Sequence, residues 1–221
     1  MTNKYALFDF CETLVDFQTA DAFIDYVRER KGSLNMRFWE VVRKILCRLK
    51  IIQICERITQ GKKSIHKRVK LLQLRGVDFE EVDALAKGYY NNKIKPHLIK
   101  QMITELNSLK SDGYKIGLVS GGYNVYLKFF VEDYNLDFCL CTKIMFRDNK
   151  CQGKFIGKDC LRDNKLIYLN NYFTVAPEIS VSYSDSISDI PLLKWTSSGI
   201  VVSHKRHQKW VEDNNFKEII W

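Results

Sequence analysis

A lone apolar strand followed by a long helical stretch limits this chain more than any other feature. Tyr5-Ala6-Leu7-Phe8-Asp9-Phe10 reads as a short buried strand that runs into a polar turn. No comparable strand follows until Lys115. From residue 18 to residue 91, apolar positions recur at helical spacing and predict helices over 19–31, 36–58 (broken part-way), 64–74 and 79–91, punctuated by Gly32-Ser33, Gly61 and Gly76. The pattern changes at Pro96. Beyond it the spacing predicts a helix over 97–112, a strand over 115–119 running into Ser120-Gly121-Gly122, and a helix over 123–133. Strands near 138–147 and 151–156, a helix over 161–172 and a strand over 179–183 follow. A short helix at 189–194, a strand at 199–202 and a terminal helix near 205–213 finish the chain. Alternating helices and continuously apolar strands predict an α/β fold, a Rossmann-like parallel sheet with helices on both faces. The helical block interrupts that pattern, so it is expected to be an inserted all-helical cap. The expected division is a core of residues 1–16 and 92–221 and a cap of residues 17–91, a size that suits 221 residues.

Composition narrows the class. Apolar residues make up 46% of the chain, enough for a core that needs no staple. The cysteines (Cys11, Cys47, Cys55, Cys139, Cys141, Cys151, Cys160) are odd in number and irregularly spaced, and Cys139-Leu140-Cys141 alone is too little for zinc. Reduced thiols are expected. The first apolar run is broken by Asp9 and has no signal-peptide pattern, and no run approaches a membrane span. A cytoplasmic protein is expected, at most peripheral at the inner face of the membrane. The net charge of +9 is uneven: residues 28–75 carry fifteen Lys or Arg against three Glu, a local excess of +12. Either an anionic partner or a solvated basic face accounts for it.

In open parallel sheets, ligands bind at the carboxyl ends of the strands. Three polar segments fall there: Asp9 through Thr13, Ser120-Gly121-Gly122, and Asp185-Ser186-Ile187-Ser188-Asp189. Aspartates at strand ends beside a Ser-Gly-Gly turn rich in free N–H groups suit Mg²⁺ and phosphate. Each residue also has a plainer reading. Ser120 can serve only as a helix N-cap, and Asp189 can simply begin the next helix.

With these segments in this order, the chain resembles the haloacid dehalogenase superfamily, in its phosphoserine-phosphatase-like branch with a helical cap. The resemblance covers nearly the whole length. Asp9-Phe10-Cys11-Glu12-Thr13 matches the family's Asp-x-Asp-x-Thr motif except at Cys11, and Ser120-Gly121-Gly122 matches its second motif. The motif lysine falls on Lys165, with Lys154 and Lys158 nearby, and the paired aspartates fall on Asp185 and Asp189. The resemblance implies a phosphatase in which Asp9 attacks phosphorus and forms an aspartyl-phosphate. It implies Mg²⁺ held by Asp9, Asp185 and the backbone carbonyl of Cys11, with Asp189 orienting Lys165 or metal-bound water. Thr13, Ser120, the Gly121 N–H and Lys165 are expected around the phosphate.

Cys11 stands where the family has its general acid/base, help worth about 10²–10⁴ in rate. Three outcomes are open: a substrate whose leaving group needs no acid, replacement by Asp16, Asp21 or His66, or slow turnover that leaves a phosphotransfer or phosphoryl-binding protein. The position of the family's substrate-amino-binding Glu falls on Gln18 and that of its carboxylate-binding Arg on His66, which makes phosphoserine a doubtful substrate. His66 and Arg68 are candidate substrate contacts or ordinary surface residues. A small phosphorylated metabolite, or a phosphorylated lipid or sugar head group, is the expected substrate. The segment Met36–Lys50, which includes Trp39, is basic and amphipathic. It either lies on an anionic membrane surface or buries its apolar face against the cap. No nucleic-acid motif accompanies the charge, so no nucleic-acid partner is expected.

Overall fold

The computed structural model describes residues 3–61 and 63–221. Its centre is a seven-stranded sheet: β1 (Lys4–Phe8), β2 (Tyr114–Tyr123), β3 (Phe138–Arg147), β4 (Lys150–Ile156), β5 (Ile179–Ser184), β6 (Ser198–Ser203) and β7 (Lys217–Ile220). The strand order is β4-β3-β2-β1-β5-β6-β7, parallel throughout except for the β3–β4 hairpin. The helices after β2 are α7 (Asn124–Tyr134), α8 (Asn164–Tyr172), α9 (Ile190–Trp195) and α10 (Lys209–Asp213). Before β2 lie α1 (Thr19–Lys31), α2 (Leu34–Arg48), α3 (Ile51–Ile58), α4 (Ile65–Leu71), α5 (Phe79–Tyr89) and α6 (Lys100–Ser111). The α/β architecture expected from the strand pattern is the one observed.

Alternation along β1 shows why both sheet faces are covered. Ala6 and Phe8 point into the larger apolar cluster, with Phe23, Leu74, Tyr89 and Phe130. Leu7 points to the opposite face, where Val119, Leu169 and Leu192 close a second cluster. The larger cluster is continuous from the sheet into α1, α4 and α5, so the helical block is welded to the sheet by shared apolar burial. At roughly 1.5–3 kcal/mol for each large apolar side chain removed from water, that seam is a major part of the fold's stability.

Four local expectations need correction. Ser120-Gly121-Gly122 is not a free turn: β2 runs on to Tyr123 and stays paired with β3 across a register shift between Ser120 and Tyr123. The helix expected from 161 begins at Asn164, after Arg162 has taken a left-handed φ of +53°. The terminal helix is confined to α10, and the edge strand β7 follows it. Four residues, two of them charged, are too few to register as a strand pattern. Finally, the Met36–Lys50 segment is only partly covered: Met36 and Glu40 of α2 are buried, Trp39, Val42 and Leu46 are half-buried, and Ile52 is the buried residue of α3. Among the described residues no helix is long and apolar enough to cross a membrane.

Candidate active site

Pairing decides where the polar segments meet. Phe8 lies level with Leu118 on one side and Tyr183 on the other. The strand order also reverses about β1, where β2 and β5 leave in opposite directions, so Asp9 sits at the sheet's topological switch point. Its N–H is tied to the Tyr183 carbonyl at 2.9 Å. Around it opens a cavity of about 790 Å³, lined on the sheet side by Asp9, Cys11, Ser120, Gly121, Lys165, Asp185 and Asp189. Gln18, Asp21, Glu56, His66 and Lys67 from the helical block complete its wall.

Lys165 organises the floor. Its buried ammonium donates to Asp9 Oδ1 at 2.6 Å and to Asp189 Oδ2 at 2.5 Å, and Ser184 Oγ donates to the same Asp189 oxygen at 2.7 Å. Burial works against the charge on Lys165, but Asp189 and Asp9 more than offset it and hold the ammonium above the ordinary lysine range. Asp189 is therefore engaged by Lys165. Burial pushes the Asp9 carboxyl above the usual carboxylate range; Lys165 pulls it down and Asp189 pushes it up again. Asp185 is raised as well, by burial first and then by Asp9, Glu12 and Asp189. No cation among the described residues forms an ion pair with it.

That imbalance bears on the metal. No group of three or more His, Cys, Asp or Glu side chains forms a cage among the described residues. What converges is two carboxylates, Asp9 and Asp185, with Cys11 lining the same cavity. Mg²⁺ suits such a set, because it retains several waters and uses one or two carboxylates. A dication here also relieves the repulsion that raises Asp185. The donor chemistry fits.

Ser120 is buried, with its Oγ accepting from the Gly122 N–H at 3.1 Å. A Cβ on Gly121 would lie 2.4 Å from the Leu161 side chain, so a side chain there would displace Leu161. Thr13 does not line the cavity. Its hydroxyl accepts from the Asp185 N–H at 3.1 Å and donates to Asp185 Oδ1 at 3.3 Å, which holds that loop rather than a phosphate. Arg68 also lies elsewhere: its Nε donates to the Lys63 carbonyl and its guanidinium covers the Phe155 ring.

The Cys11 thiol lies 3.1 Å from Thr19 Oγ1 and accepts from the Thr19 N–H at 3.4 Å. Burial, and then the Asp9 charge, push it up to about 12. The thiol form is therefore the favoured one at neutral pH. Of the three residues considered as replacements, Asp16 pairs with His97 outside the cavity, whereas Asp21 and His66 line it. Both ring nitrogens of His66 are occupied. Arg43 can only donate, so Nε2 accepts at 3.4 Å, and Nδ1 faces Asp21 at 3.5 Å.

One group was not singled out from the sequence. Lys67 is buried, pairs with Asp159 Oδ1 at 2.5 Å and donates to the Gly121 carbonyl, so a helix of the inserted block grips the Ser-Gly-Gly segment. Its signal was readable, since Lys67 is four residues before Leu71 on the buried face of α4. Glu12 holds a left-handed φ of +54°, and its carboxylate accepts from Gln18 Nε2 at 2.5 Å.

The model of one family, described as haloacid dehalogenase-like hydrolase, matches residues 6–194. The chain belongs to that family. Within these hydrolases it is phosphoserine-phosphatase-like. A phosphoserine phosphatase from Methanocaldococcus jannaschii is 25% identical over 199 residues, covering 86% of this chain and 81% of its own. A Bordetella pertussis protein of unknown function superposes with a TM-score of 0.79 at 18% identity, over 99% of both chains. A substrate-bound phosphoserine phosphatase complex gives 0.63 at 18% identity, over 99% of this chain and 93% of that one. At such identities the two structures show the shared haloacid dehalogenase-like fold alone.

Proposed function

We propose that this hydrolase is a Mg²⁺-dependent phosphomonoesterase that works through an aspartyl-phosphate on Asp9. The observation that carries the reading is the Asp9–Lys165–Asp189 triad at the centre-strand terminus, with Asp185 opposite and Ser120 beside it. Asp9 and Asp185, with the Cys11 carbonyl, are the residues that would hold Mg²⁺, which when bound neutralises phosphoryl charge. Asp9 forms the new P–O bond as the ester P–O bond breaks. Lys165 keeps the nucleophile ionised and oriented and, with Ser120 and the Gly121 N–H, faces the phosphoryl oxygens. Thr13 acts one step back, by holding Asp185.

Cys11 supports a second reading. A thiol held protonated is a weak acid for the departing alkoxide, and a thiolate formed by that transfer regains a proton from solvent before a water is in place, so release of phosphate from Asp9 is the slow step. A catalytically attenuated phosphotransfer or phosphoryl-binding protein differs from the first reading only in that rate. We take the substrate to be a small phosphorylated compound. The cavity contains a carboxylate at Glu12 and a cation at Lys67, adjacent to the positions where a phosphoserine phosphatase-like site has its selective charges. Lys67 is already neutralised by Asp159, however, and that leaves phosphoserine a poor fit. The cysteines are all free, which suits a reducing cytoplasmic setting.

The test is hydrolysis of an aryl phosphate by the purified protein with Mg²⁺, beside Asp9→Asn and a panel of phosphorylated metabolites. Activity that needs Mg²⁺ and disappears in Asp9→Asn is expected. Neither product nor a phosphorylated protein intermediate in the wild type would end this reading.

A further inference from the structure

Leu34, Phe38, Val41 and Ile45, with Leu49 at the C-cap, follow one another at spacings of three or four residues, so they form a single stripe along α2. Ile51, Ile54 and Ile58 continue it along α3. All eight side chains are between 41% and 83% exposed, and no other described element covers them. Helices of a water-facing cap ordinarily turn such a stripe inward. Here the inward face of α2 carries Met36 and Glu40 instead, and Glu40 is occupied by Arg43 and Arg28.

The charges around the stripe share one sign. Arg37, Lys44, Arg48, Lys50 and Arg57 are exposed. The two acids of this stretch are withdrawn: Glu40 is buried among arginines, and Glu56 is half-buried and accepts from the His66 N–H. Helical spacing sets Arg37, Lys44 and Arg48 along one edge of the α2 stripe. A second copy of this chain seated on the stripe would bring like charges together, because a two-fold interface places the same patch on both sides. An apolar face rimmed by cations, with no exposed acid, complements an anionic lipid surface.

The stripe also ends at the active-site cavity. Glu56 and Arg57, in the last turn of α3, line that cavity, and Ile58 follows them at the exposed end. We propose that the α2–α3 hairpin docks this protein on an anionic lipid bilayer, apolar stripe inserted and cations at headgroup level, with the cavity opening beside the headgroups. Docking stands independently of the chemistry at Asp9.

Co-sedimentation with vesicles tests it, using 3:1 phosphatidylcholine:phosphatidylglycerol beside pure phosphatidylcholine. The wild type is expected to bind the anionic vesicles at 0.1 M salt, to release in 0.5 M salt, and to ignore the neutral ones. Phe38→Asp with Ile45→Asp should lower binding at least tenfold. Arg48→Ala with Lys50→Ala should lower it roughly 30-fold, from roughly fivefold for each cation removed near such a surface. Circular dichroism melts of both double variants establish that they are folded, and Asp9→Asn should bind like the wild type. Absence of anionic-vesicle binding overturns the proposal, as does equal binding to neutral vesicles. So does a wild-type dimer in sedimentation equilibrium that Phe38→Asp with Ile45→Asp dissolves, since a second copy then occupies the stripe.

Discussion

Replacing Cys11 by Asp should speed this enzyme rather than disable it. The Cys11 thiol, pushed up to about 12 by burial and by Asp9, is ionised in only about one molecule in 10⁵ at pH 7. A carboxyl at the same place keeps both Thr19 partners, the N–H and the hydroxyl, and Thr19 itself is braced by the Tyr126 hydroxyl at 2.8 Å. The burial that lifts the thiol should also lift the new carboxyl above the usual carboxylate range. That brings it toward neutrality, where one group can serve as acid and then as base. General acid/base help of that kind is worth about 10²–10⁴ in rate, or roughly 3–5.5 kcal/mol of barrier. Stopped-flow release of an aryl alcohol separates the two steps. The wild type is expected to show a burst of one equivalent and a slow steady state, because the aryl leaving group departs unaided while Asp9 holds the phosphate. Cys11→Asp should lose the burst and raise kcat at least a hundredfold, whereas Cys11→Ser should do neither. The reasoning fails if folded Cys11→Asp leaves kcat within threefold of the wild type on both aryl and alkyl phosphates.

Three further outcomes follow from the same geometry. The Glu40 carboxylate is lowered to about 2, chiefly by its hydrogen bonds from Arg43, so its contribution is present above the ordinary glutamate range and lost as pH falls through about 2. After solvent screening that is worth about 1–2 kcal/mol, and Glu40→Gln should lower stability by this much at pH 7 and little at pH 2.5 in urea titrations. Lys67→Met strands Asp159 beside Thr142 alone and should cost about 3–5 kcal/mol, while adding Asp159→Leu should restore at least half; equal instability of single and double variants would refute the buried pair. Because the Asp9 and Asp185 carboxyls are raised in the fold, protons favour the folded chain, and metal-free stability should fall as pH rises past about 4. Mg²⁺ takes the place of those protons, so the rise in melting temperature it causes should be larger at pH 8 than at pH 5. An equal rise at both would contradict the assigned donors.

Much of the site was legible because its residues sit at strand ends. A strand announces itself by a continuous apolar run, and the polar residue that breaks the run is already placed on the rim. Asp9 and Asp185 follow their strands in this way, whereas Ser120 lies inside β2, which runs on to Tyr123. Lys165 could be told from Lys154 and Lys158 by its place at a helix start, although only the fold shows it between two aspartates.

Tertiary structure decided the rest, for one recurrent reason: periodicity reveals which face a residue is on but not what covers that face. Lys67 occupies a buried position whose partner, Asp159, lies 92 residues away, so sequence alone shows only a lysine in a basic helix. Thr13 belongs to the first motif, yet its hydroxyl is spent on Asp185, 172 residues on. The stripe on α2 and α3 has the pattern of a buried face and is left open, because Met36, Glu40 and Ile52 already fill the inward side. By itself the sequence determined six of the seven strands, the order of its motifs and the departure at Cys11, all matters of local pattern. Which charges are paired, and which apolar face meets something outside the chain, depended on contacts between distant segments.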